Sequence, residues 1–91
     1  MRKVNFEFIE MKTLSGKIEI ANVKEAVSEL IYSRLGGLKY KLLAEKIYKS
    51  RGNCELDDNE VGLLKELASP ESGFFSNKLS DALLDILEKE E

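Results

Sequence analysis

The chain has 91 residues, 43% hydrophobic and 34% charged, with a net charge of −3, one cysteine and no histidine. That balance is too apolar for a disordered chain, and no apolar run approaches the roughly 18 residues of a membrane span. Without histidine there is no imidazole base, no Ser-His-Asp triad, no Cys-His pair and no imidazole ligand for zinc.

The first residues, "MRKVNFEFIEMK", begin basic, but Asn5, Glu7 and Glu10 interrupt what would be the apolar segment of a signal peptide. The expectation is therefore a cytoplasmic protein, and a lone Cys54 agrees with a reducing compartment. A chain this short reads as one domain over 1–91, a β-hairpin over 1–21 followed by a helical part over 22–91. It buries only about 60–65% of its unfolded surface, so a second copy or a partner would add stability.

Val4, Phe6 and Phe8 alternate with Asn5 and Glu7, the period of a half-buried strand. The alternation then slips by one to Ile9 and Met11, which marks a bulge or a strand end. "LSGK" carries turn residues, and Ile18 and Ile20 alternate again, so a hairpin with Gly16 in its turn is expected. A two-stranded hairpin is marginal alone, and its apolar face is expected to pack on helices.

Asn22 with Glu25 reads as a capping box opening a first helix, whose apolar positions are Val23, Ala26, Val27, Leu30, Ile31 and Leu35. Gly36 and Gly37 end it. Leu38, Leu42, Leu43, Ile47 and Tyr48 continue the pattern in a second helix, stopped by Gly52. Asp57 with Glu60 is a second capping box, and Val61, Leu64, Leu67 and Ala68 give the inner face of a third helix. After the break at Pro70, a last helix carries Phe75, Leu79, Ala82, Leu83, Ile86 and Leu87 on one side, capped by Ser72 or Ser76, with "EKEE" fraying. The fold class is α+β: an N-terminal β-hairpin packed on a four-helix, mainly helical domain.

The polar break "KSRGNCELDDNE" invites a metal or a DNA-reading turn. Counted from Asp57, an EF-hand register puts Val61 where a ligand belongs and Ala68 at the closing position. From Asn53, Asp58 falls where glycine is needed. The break is expected to be a connector: a glycine stop and an aspartate cap. No metal, no cofactor and no catalytic residue is expected, and the protein is read as non-enzymatic. Cys54 sits beside Glu55, Asp57 and Asp58, which discourages a thiolate.

As a helix-turn-helix the segment is too acidic, since Lys65 stands among Asp57, Asp58, Glu60 and Glu66. Only the second helix is basic, with Lys39, Lys41, Lys46, Lys49 and Arg51 beside Tyr40 and Tyr48. Those five cations are the alternative nucleic-acid contacts of a regulator. Charge is uneven: residues 1–56 carry a net +4 and residues 57–91 a net −7. Either the acidic last helices neutralise the basic middle one, or one acidic face is left to recruit a basic partner.

Phe74 stands about 100° from Phe75 on a helix. Both close the core edge, or Phe74 projects as an anchor for a partner's pocket. Phe74, Phe75, Asp81 and Asp85 are the candidate contacts with a protein partner or a second copy, a homodimer included, and the open hairpin edge offers a further contact. Nucleic acid is the weaker partner and no membrane is expected.

"LAEKIYKS", a polar gap with "CEL", and "DDNEVGLLKEL", preceded by a hairpin around "LSGK", resemble a group of small phage and prophage proteins of similar length. Those place an LA-x-KIY helix before an E-L-(acidic)-x-E-(apolar) helix start, matched here by Leu43, Ala44, Lys46, Ile47, Tyr48, Glu55, Leu56 and Glu60. "SPESGFFSNKLSD" departs from the short connection expected there. The resemblance implies a prophage gene product in the host cytoplasm, acting by protein–protein contact in a setting such as virion assembly. It brings no established activity.

Overall fold

A computed structural model describes residues 2–88, and shows two small antiparallel sheets and four helices. In chain order these are β1 (Arg2–Val4), β2 (Ile9–Lys12), β3 (Ile18–Ala21), α1 (Lys24–Arg34), α2 (Leu38–Lys49), β4 (Cys54–Leu56), α3 (Asp58–Ala68) and α4 (Asn77–Glu88). The class is α+β, as the periodicities predict. Of the "EKEE" expected to fray, Glu88 is the last residue of α4, and residues 89–91 lie outside the described residues.

The slip after Phe8 is a strand end. β1 stops at Val4, and a turn follows in which Phe8 N donates to Asn5 O (3.1 Å) and Glu7 N to Asn5 Oδ1 (3.0 Å). The turn separates residues that strand alternation would have kept on one face: Phe6 is fully buried, whereas Phe8 is 64% exposed. Beyond it, β2 pairs with β3 in the expected hairpin, where Gly16 takes the left-handed φ of +91° that a side chain would strain.

β1 does not join that hairpin. It pairs with β4, a strand inside the supposed connector, matching Arg2 with Leu56, Lys3 with Glu55 and Val4 with Cys54. Val4, Cys54 and Leu56 are buried, while Lys3 and Glu55 set opposite charges across the exposed face. The break is thus a glycine turn, a short strand and a cap.

Gly52 does not terminate α2. The helix ends at Lys49, where Ser50 Oγ donates to Ile47 O (2.7 Å), and Gly52, at φ +67°, turns the chain into β4. Gly52 N–H donates to Glu7 Oε1 at 2.7 Å, and Lys24 Nζ stands 3.7 Å from Glu7 Oε2 while donating to Ser50 O. One carboxylate and one ammonium therefore tie the β1–β2 turn, α1 and the end of α2 together.

That Gly52 hydrogen bond, then the nearby Lys24, hold Glu7 below its ordinary pKa of 4.5. A carboxyl depressed in the folded state stabilises it above its unfolded pKa and loses that contribution as pH falls through the lowered folded value. Glu7→Gln is expected to flatten the acid limb of stability. Urea midpoints followed from about pH 6 to about pH 3 check this, with the wild type falling more steeply than the variant.

Two caps moved. α1 begins at Lys24 behind Val23, whose N–H is held by Phe6 O (2.8 Å) and whose side chain is buried. Asn22 therefore accepts only from Lys24 N, and Glu25 forms no reciprocal bond. Ser76 accepts from Leu79 N at the start of α4, whereas Ser72 donates to Leu67 O and Ser69 O at the end of α3. The Asp57–Glu60 box forms as expected, with reciprocal bonds of 2.8 and 2.9 Å, and Lys46 Nζ adds a 2.7 Å bond to Glu60 Oε1. α1 packs on α2 and α3 on α4, with α4 also lying against β2. The inner faces of all four helices and of β1, β2 and β4 meet in a single core.

Candidate protein-docking groove

Register decides which face of the hairpin is left uncovered. Ile9 stands opposite Ala21 and Met11 opposite Glu19, while Glu10 faces Ile20 and Lys12 faces Ile18. Paired residues share a face. Ile9 and Met11 turn to the core, so Ile18 and Ile20 turn outward, at 59% and 54% exposure. Phe8 lies exposed at the near end and Leu14 at the tip. The hairpin's apolar face packs on helices as expected through Ile9 and Met11, but Ile18 and Ile20 are left out of it: the five-residue turn pairs odd with odd positions, which sets the two apolar rows on opposite faces.

α4 supplies the opposite wall. Asp81 and Asp85 are one turn apart, and with Ala82 and Ile86 they face Phe8, Glu10, Lys12 and Ile18 across a groove of about 560 Å³. That volume lies within the range of small ligand-binding clefts. Its lining is mixed: Phe8, Ile18, Ala82 and Ile86 are apolar, and its charged groups are three carboxylates against one ammonium. Like charges at i and i+4 are mildly unfavourable. Lys78, the nearest cation in sequence to Asp81, donates instead to Glu19 at 2.6 Å. None of the three ion pairs found among the described residues uses Glu10, Asp81 or Asp85.

The other candidates fall elsewhere. Phe75 is 5% exposed and belongs to the core, so it offers a partner nothing in the folded state. Phe74 is half-buried: its ring meets Phe75 edge-on, centroids 4.9 Å apart, and the Arg34 guanidinium lies 6.0 Å from its centroid. Those contacts fix it at the junction of α3 and α4 rather than on a free collar.

The cations of α2 are exposed, but Lys46 is engaged by Glu60, whose hydrogen bond raises the lysine's pKa. Leu38, Leu42 and Tyr48, expected in the core, are 69%, 55% and 50% exposed, because Leu43, Ala44 and Ile47 form the buried face.

No family model matches the chain, and neither does any curated protein or any solved structure.

Cys54 is buried in β4, its Sγ 4.0 Å from Lys46 O, and burial pushes its thiol above the ordinary value of 9.0. A thiol held protonated is a poor nucleophile. Among the described residues no three His, Cys, Asp or Glu side chains gather as metal ligands do, and no helix is long and apolar enough to cross a membrane.

What sequence reasoning missed is the hairpin half of the groove. Asp81 and Asp85 stand out by charge, but Phe8, Glu10 and Ile18 join them only once the register is known.

Proposed function

We propose that the chain is a non-enzymatic docking module that binds a cationic, apolar-faced segment of a protein partner in the groove between the β2–β3 hairpin and α4. The observation that carries this reading is the groove's composition: exposed Phe8 and Ile18 beside three carboxylates without an ion partner among the described residues. Contiguous exposed apolar surface rimmed by charge is characteristic of interaction sites, and the carboxylates select a basic ligand. On the resemblance of residues 43–67, the setting is that of a prophage gene product in the host cytoplasm, with virion assembly as the process served. The regulator reading rests on the exposed lysines of α2, but the two leucines among them suit a protein surface better than a phosphate backbone.

A synthetic amphipathic peptide of leucine and lysine serves as ligand for the test. Fluorescence anisotropy is expected to show binding that weakens about tenfold in Asp81→Asn/Asp85→Asn, or about 1.4 kcal/mol. Equal affinity for wild type and variant would remove the groove from the reading. Titration with a DNA duplex tests the regulator, for which binding must fall steeply with salt and with Lys39→Gln/Lys41→Gln.

A further inference from the structure

The groove's complement is present on the same chain. Along α2, Leu38 and Leu42 stand about 40° apart on the outer face, with Lys39 on one flank, Lys41 on the other and Lys49 in line between them two turns on; Glu45 is the one carboxylate on this face, and Lys46 is already paired with Glu60. Two exposed leucines framed by lysines are what a groove that sets Phe8 and Ile18 beside Glu10, Asp81 and Asp85 would select. No described residue of the chain covers either face, so this complementarity is satisfied between copies. We propose that α2 of a second copy occupies the groove, so that copies of this protein associate head to tail.

The inference rests on the groove being a docking site and adds what fills it. Leu38 and Leu42 enter over Phe8 and Ile18, and Lys39 and Lys41 approach Asp81 and Asp85. Because the groove and α2 are different surfaces, the contact is heterologous: each copy uses one of each, and assembly continues as an open chain or closes as a ring. Charge opposes charge at the rim, so association weakens with salt. A β3–β3 edge pairing would instead be isologous and would not depend on α2.

Sedimentation velocity on the full chain tests this with two charge-swap variants, Asp81→Lys/Asp85→Lys and Lys39→Glu/Lys41→Glu, both at exposed helical positions. The wild type is expected to shift to higher mass with concentration at low salt and to return towards monomer at high salt. Each swap alone sets like charge against like, and its association constant should fall at least tenfold. An equimolar mixture of the two should recover assembly, since a lysine-rimmed groove then meets a glutamate-bearing α2, and the unaltered groove meets the unaltered helix.

A wild type that stays monomeric at low salt overturns the proposal. So does a swap variant that assembles like the wild type, which would point to the β3 edge, or a mixture that stays monomeric. The leucine–lysine peptide separates this from the broader reading: peptide binding without self-association rejects only the second copy as occupant, whereas loss of both rejects the docking groove itself.

Discussion

Phe6→Ala is expected to cost about 3–5 kcal/mol, a large share of the about 5–15 kcal/mol that holds a domain of this kind folded. Phe8→Ala should change stability by no more than about 0.5 kcal/mol. The two residues are chemically identical and two positions apart, yet Phe6 is fully buried and Phe8 is 64% exposed. Phe6 also occupies the turn whose carbonyl holds the Val23 amide, so emptying its site loosens the start of α1 as well as the core. Urea unfolding followed by circular dichroism measures both costs. The peptide titration should reverse their order: Phe8→Ala, in the groove, weakens binding at little cost to stability. Equal destabilisation by both would mean that residues 4–8 form one strand face, as plain alternation predicts.

The contrast shows where local pattern ends. α3 is legible because everything that forms it is near in sequence: Asp57 and Glu60 satisfy each other's amides, and Val61, Leu64, Leu67 and Ala68 face inward as their spacing requires. α2 is legible in extent but not in orientation. Its leucines give two overlapping apolar stripes, and only packing against α1 selects Leu43, Ala44 and Ile47 over Leu38 and Leu42.

The hairpin is legible in its turn and opaque in its parity, which depends on the number of residues that Thr13–Lys17 places between the strands. The groove inherits that division. Its acidic wall on α4 is visible as charge on an amphipathic helix, whereas its hairpin wall exists because a register chosen by Ile9 and Met11 turns Ile18 outward. Phe74 and Phe75 show the converse: adjacent aromatics after a proline look available, and the fold uses one in the core and sets the other against it.

β4 was hidden for a different reason, and it carries the second large expected effect. Three residues, Cys54–Leu56, are too few to display a period, and no local signal distinguishes them from loop between Gly52 and Asp57. They form a strand because β1 arrives from the other end of the sequence to pair with them. Leu56→Ala is therefore expected to cost about 2–5 kcal/mol, as for a core leucine. Glu55→Ala, on the exposed face opposite Lys3, should cost about 0.2–1 kcal/mol. Urea midpoints give the difference, and exchange of the β1 amides that point towards β4 locates it, because weakening the β4 side of the pair deprotects them. A Leu56→Ala cost no larger than that of Glu55→Ala would return the segment to a plain connector, with α2 and α3 joined only by a glycine turn and an aspartate cap.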